Sequence, residues 1–220
     1  MMNLLFDIEE QTTPDIEGVS YIEDFISRDE EQALISAIDR QSWLADLKRR
    51  VQHYGYKYDY KERKVTDDSY IGDLPDWIMP IARRLHDQSI FKAIPDQAIV
   101  NEYEPGQGIS AHIDCVPCFD DTIASLSLGS AAIMQFTHPQ SGIKEDFYLK
   151  ERSLVVLSGP ARYEWTHAIP ARKSDVVNGF KIERGRRISL TFRKMILNAW
   201  RQRSSRLVLL AQARSISFIG

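Results

Sequence analysis

The chain has 220 residues, of which 43% are hydrophobic, 27% charged and 10% aromatic. That length fits one domain in which roughly 70% of the unfolded surface can be buried, so bulk disorder and a disulfide-stapled scaffold are excluded. No run of 18 apolar residues suggests a membrane span, Met1 to Glu10 lacks the basic start of a secretory signal, and two cysteines point to a reduced, cytoplasmic protein with free thiols.

The net charge of -3 conceals an uneven distribution. Residues 1 to 31 hold ten acids and only Arg28 as a base, whereas nine bases and no acids follow Glu183. A basic end can meet phosphate or another anion, or can be a solvated face that balances the acidic end.

In chain order, residues 1–17 read as a mobile lead-in, followed by a short strand over Val19 to Ile22. Ser27 and Glu30 have capping-box spacing, and Ala33, Leu34, Ala37 and Ile38 then mark one face of a helix. A second helix is expected over Trp77 to Gln88, with Pro80 tolerated in its first turn. After residue 97 the pattern becomes short β-type runs: Ala98 to Tyr103, Thr122 to Leu128, Ala132 to Thr137, Lys144 to Leu149, Ser153 to Leu157 and Arg187 to Lys194. Gly, Pro and Ser pairs punctuate them. Helices followed by closely spaced strands predict an α+β protein built on a sandwich or small barrel.

His112 and Asp114 are the first candidate metal ligands, because residues i and i+2 of a strand share a face. The triplet alone is a weak signal. His167, close to the last β run, is the best candidate for a third ligand. Two His and a carboxylate on one side of an ion leave positions open, the ligand set of non-heme Fe(II) oxygenases. The same residues also suit a hydrogen-bonded core histidine and a surface His–Asp pair.

The run from Arg187 to Arg193 alternates strictly. Ile188, Leu190 and Phe192 form an apolar face, and Arg187, Ser189, Thr191 and Arg193 form a polar one. On an outer strand this is a solvated face; facing an interior, its guanidinium forks suit a carboxylate ligand such as 2-oxoglutarate. Asn101 and Tyr103, again i and i+2, offer an amide and a phenol to the same ligand.

The ordered set Asn101 to Gly106, His112-Ile113-Asp114, Ser125 to Gly129, Ser153-Leu154, Ser158-Gly159, Arg162-Tyr163, His167 and Arg187 to Arg193 resembles the AlkB family of 2-oxoglutarate- and Fe(II)-dependent dioxygenases. The resemblance covers roughly residues 97 to 195. It implies a double-stranded β-helix (jelly roll) with N-terminal helices and a substrate-covering lid at about 49–70, within one domain over 18–196. It implies His112, Asp114 and His167 as catalytic iron ligands. It also implies Arg187 on the distal carboxylate of 2-oxoglutarate, Arg193 near its other end, and hydrogen bonds from Asn101 and Tyr103. Ser189 departs from the Asn common in the family, which weakens one co-substrate contact or leaves it to water.

The implied activity is oxidative removal of alkyl groups from bases in single-stranded DNA or RNA, that is, alkylation repair by a cytoplasmic monomer with O2 as co-substrate. The alternatives are hydroxylation of a modified tRNA base, of a protein or of a small molecule; a metal-free jelly-roll binding module is disfavoured by the complete set of His112, Asp114, His167, Arg187 and Arg193. In residues 49 to 61, Tyr54, Tyr56, Tyr58 and Tyr60 alternate among Arg and Lys, a composition suited to stacking bases and pairing phosphates. Arg50, Tyr54, Tyr56 and Tyr58 are therefore the expected substrate contacts, although an aromatic strand packed on the sandwich has the same pattern. This segment and Leu126 to Gly129 resemble the subgroup that includes tRNA wobble-uridine hydroxylases, whose added RNA-recognition and methyltransferase modules exceed this length. Cys115 and Cys118 form a CxxC without a second pair for zinc. The tail, 197–220, falls outside the resemblance.

Overall fold

A computed structural model describes residues 13–45, 48–60, 62 and 65–196. The predicted tail and most of the predicted lead-in lie outside them. The elements run β1 (Val19–Ile22), α1 (Arg28–Asp39), β2 (Val51–Tyr56), β3 (Tyr70–Gly72), α2 (Met79–Asp87), β4 (Gln97–Tyr103), β5 (Ile109–His112), β6 (Phe119–Gly129) and β7 (Ala132–Thr137). They continue with β8 (Lys144–Leu149), β9 (Leu154–Leu157), α3 (Gly159–Tyr163), β10 (Thr166–Ile169), β11 (Ser174–Val177), β12 (Phe180–Glu183) and β13 (Arg187–Met195).

Antiparallel pairing makes a seven-stranded sheet, β1-β9-β6-β13-β4-β2-β3, facing a four-stranded one, β5-β10-β7-β8, with β11 and β12 as a separate hairpin. The facing antiparallel sheets form the jelly roll. The period of two along each strand divides the interior into two cores. Ile188, Leu190 and Phe192 of β13, Ala98 and Val100 of β4, and Ala124, Leu126 and Leu128 of β6 pack outward against Leu34 and Ile38 of α1 and Ile81 and Leu85 of α2. The opposite faces meet Met134, Phe136, Phe147 and Leu149 of the small sheet in the second core. The polar face of β13 thus looks into the space between the sheets.

Local chemistry explains the first helix. Ser27 Oγ accepts from the Glu30 amide at 3.2 Å, and Glu30 Oε2 accepts from the Ser27 amide at 2.8 Å. Asp29, Glu30 and Glu31 lie in the first turn, where the helix dipole favours negative charge. Ser27→Ala is expected to lower stability by about 1 kcal/mol in thermal or denaturant unfolding, with co-substrate affinity unchanged. Wild-type stability in this variant would show that the box contributes nothing.

The structure changes several predicted details. Within the segment expected to cover the substrate, residues 51–56 form a strand of the large sheet, pairing Val51 with Asn101 and Tyr54 with Ala98. At Gly55 the register shifts. Its φ is +76°, and a Cβ there would meet the Asp96 carbonyl oxygen at 1.8 Å, so only glycine fits without rearrangement. This bulge breaks the predicted alternation of tyrosines. Among the described residues no helix is long and apolar enough to cross a membrane.

Candidate active site

The site is built from β5, β10, β13 and the loop after β5. His112 ends β5, and His167 lies directly opposite it on β10. Their rings are 4.4 Å apart between centroids. Asp114 is not on a strand, as the i, i+2 argument assumed, but two residues beyond the end of β5. The turn after β5 brings its carboxylate back, with Oδ2 3.6 Å from His167 Nε2. One ligand atom from each of the three residues lies within 4.8 Å of the others.

The surroundings fit a metal. His112 Nδ1 donates to the Ser110 carbonyl at 2.8 Å, which leaves Nε2 with its lone pair for an ion. Burial, with His112 alongside, pushes the His167 imidazole down to about 3, so it stays neutral, the ligating form. Burial disfavours the Asp114 carboxylate, yet Arg193, with His167 and His112, holds its carboxyl well below the usual range. Asp114 Oδ1 accepts from Arg193 Nε and Nη2 at 2.9 and 2.6 Å. Oδ2 therefore remains on the side of the histidines.

Arg162, quoted above only as part of a sequence motif, proves to hold this loop from below. It is buried, and it donates to the carbonyl oxygens of Asp114 at 2.9 Å and Cys115 at 3.2 Å. The CxxC lies directly after Asp114. Contrary to the expected free thiols, Cys115 and Cys118 form a disulfide, with Cα atoms 5.3 Å apart across a turn closed by the Cys118 amide on the Cys115 carbonyl.

An inner cavity runs from this triad between the sheets. It is lined by Asn101, Tyr103, Ser125, Arg187, Ser189, Thr191 and Arg193, so the polar face of β13 and the predicted amide and phenol of β4 converge there. The two arginines differ. The fork of Arg193 is taken up by Asp114, and its Nη1 donates to Gln97 at 3.2 Å. Arg187 is buried, yet the only hydrogen bond of its guanidinium among the described residues goes from Nη2 to Ser127 Oγ at 2.9 Å. Its Nε and Nη1 are buried without a partner. A guanidinium in this position demands an anion, since unpaired buried charge is costly. The donor set fits a dicarboxylate that reaches from Arg187 toward the triad.

A second, wider cavity opens from the triad to the surface and is lined by Arg49, Tyr58, Tyr60, Cys115 and Phe119, together with His112 and Asp114. The predicted substrate contacts divide here. Tyr58 lines this mouth, but Arg50, Tyr54 and Tyr56 do not. Arg50, just before β2, turns outward to Glu102, with Nη2 donating at 2.8 Å, and lies over the Trp43 ring. Tyr54 packs edge-on against Trp77, and burial pushes its phenol up to about 12. Tyr56, past the bulge, is buried in the second core beside Tyr70. Arg49 and Tyr60 take the places at the mouth. The pairing of Val51 with Asn101 places Arg49 beside the site, information that a strand period could have carried had the segment been read as paired.

A jelly roll with a facial His-Asp-His triad beside a buried unpaired arginine defines a class of iron oxygenase. Residues 40–193 match the family model described as the 2OG-Fe(II) oxygenase superfamily. The chain is 39% identical over 203 residues to an Arabidopsis thaliana protein named "Alkylated DNA repair protein ALKBH8 homolog", covering 82% of this chain and 59% of that one. It is 40% identical over 202 residues to the Mus musculus "tRNA (carboxymethyluridine(34)-5-O)-methyltransferase ALKBH8", covering 81% of this chain and 30% of that one. The chain thus spans less than two thirds of the first relative and less than a third of the second. Among solved structures, "The structure of OsALKBH1" superimposes with a TM-score of 0.59 at 16% identity, over 80% of this chain and 96% of that chain, which supports the fold. The chain belongs to the 2OG-Fe(II) oxygenase superfamily, on its AlkB-like branch. It is accordingly a dioxygenase whose cofactors are Fe(II) and 2-oxoglutarate.

Proposed function

We propose that this dioxygenase oxidises an alkyl substituent on a nucleic-acid base, and that the base belongs to tRNA. The observation that carries the chemistry is the buried, unpaired Arg187 in the same cavity as the triad. In this reading His112, Asp114 and His167 hold Fe(II), which with 2-oxoglutarate and O2 supplies C–H oxidation. Arg187 pairs with the distal carboxylate of the co-substrate, and Tyr103, Asn101 and Ser189 line its path. Arg193 keeps the ligand carboxylate ionised and aimed. Tyr58 and Tyr60, whose ring centroids are 5.1 Å apart at the mouth, provide aromatic surface for an extruded base. Ile123, Met134 and Leu157 add apolar wall to the inner cavity.

The tRNA assignment is supported by the name and 40% identity of the mouse relative. The methyl transfer in that name is not carried over, because the match spans 30% of that protein. The second reading, oxidative dealkylation in DNA or RNA repair, is supported by the name of the Arabidopsis relative. Chemistry separates them: a hydroxylated N-linked alkyl group leaves as an aldehyde, whereas a C-linked one stays.

The test measures succinate from 2-oxoglutarate with Fe(II), ascorbate and O2, in the presence of bulk tRNA, methylated single-stranded DNA, methylated RNA or no substrate. The expected result is stimulation by tRNA with a gain of one oxygen in a digested nucleoside. Loss of methyl groups from DNA or RNA without tRNA stimulation would replace this assignment with repair. Turnover that no nucleic acid stimulates would overturn both readings.

A further inference from the structure

Arg49 is bound to the co-substrate side of the site as well as to its mouth. Its Nε donates to Asn101 Oδ1 at 2.9 Å, and its guanidinium carbon lies 6.0 Å from the ring centroids of both Tyr60 and Tyr103. Asn101 is buried and lines both cavities. An arginine has donors and no acceptor, so its presence decides which end of the Asn101 amide faces it. Oδ1 must turn to Arg49, and Nδ2, with no hydrogen-bond partner among the described residues, is left to the cavity that holds Arg187. Without Arg49 the amide could rotate about its last bond and present a carbonyl oxygen to a carboxylate, a repulsive arrangement.

The register shows why this residue can do so. Val51 pairs with Asn101, and the Glu102 amide donates to the Arg50 carbonyl, so the segment entering β2 is tied to β4 beside the amide. Arg49 makes no ion pair with any described residue, whereas Arg50 next to it is neutralised by Glu102. From this geometry we infer that Arg49 is a positioning residue for the co-substrate: it orients Asn101 so that the amide N–H groups face 2-oxoglutarate. The inference rests on the reading that Asn101 contacts the co-substrate.

The test is a double-mutant cycle read by 2-oxoglutarate affinity, from the absorbance of the anaerobic Fe(II) complex, with no nucleic acid present. Arg49→Met is expected to weaken binding about tenfold, the scale of one hydrogen bond to a charged group. Arg49→Gln, whose amide offers an acceptor as well as a donor and so no longer selects one end of Asn101, is expected to behave alike. In an Asn101→Ala background, where affinity is already reduced, Arg49→Met should have no further effect. Arg49 sits half-buried at the rim, so melting of these variants should match the wild type, and the Gln variant reports even where Met destabilises. Full affinity in either Arg49 variant, or an undiminished loss in the Asn101→Ala background, would overturn the inference. Unchanged affinity in Asn101→Ala alone removes the contact itself, and the inference with it, whatever base the enzyme oxidises.

Discussion

Arg187→Met is expected to lose most 2-oxoglutarate affinity while making the ligand-free protein more stable. The guanidinium is buried with Nε and Nη1 unpartnered, and burial lowers its basicity. Only a bound carboxylate compensates that arrangement. Removing one partner of a buried, hydrogen-bonded charge pair costs about 2–5 kcal/mol, so affinity should fall by about 10²-fold or more. Replacing an uncompensated charge by an apolar side chain of similar length should raise ligand-free stability by about 1–2 kcal/mol, a shift of about 2–8 °C in melting temperature. The opposed signs are informative, since a residue kept for structure would lose stability when replaced. Titration of co-substrate and calorimetry of the ligand-free variant check the two halves. Wild-type affinity would show that the carboxylate is bound elsewhere.

His167→Ala is expected to abolish iron-dependent turnover and weaken Fe(II) binding by about two to three orders of magnitude. That is the share of one ligand in three when a site binds its metal with about 10 kcal/mol. The imidazole is held neutral by burial and by His112, and its Nδ1 is buried without a partner, so its loss is not made good by another side chain. His112→Ala should act in the same direction, because β5 and β10 present the two rings as a cross-strand pair. Decarboxylation of 2-oxoglutarate retained in either variant would sink the ligand assignment.

Sequence determined much of this molecule by itself, where local chemistry decides local structure. The strand over Val19–Ile22 and the capping box at Ser27 and Glu30 were legible because each involves residues near one another in the chain. The strict alternation of β13 was legible because one of its faces is apolar throughout. It correctly paired Arg187 with Ser189 and Thr191 on one face, and the order of motifs pointed to the AlkB-like branch.

What lay beyond the sequence depends on contacts between distant segments. Asp114 reaches His167 through a turn rather than a strand, and Arg162, 48 residues away, holds that turn. The pattern of tyrosines over 54–60 suggested one aromatic face. Pairing with β4 and the bulge at Gly55 send Tyr54 to the helix side and Tyr56 into the other core, leaving Tyr58 and Tyr60 at the mouth. The choice between Arg49 and Arg50 has the same origin. Two adjacent arginines are equivalent as composition, and the sheet assigns one to Glu102 and the other to Asn101. Periodicity states which residues share a face, but only the pairing of strands decides what that face meets.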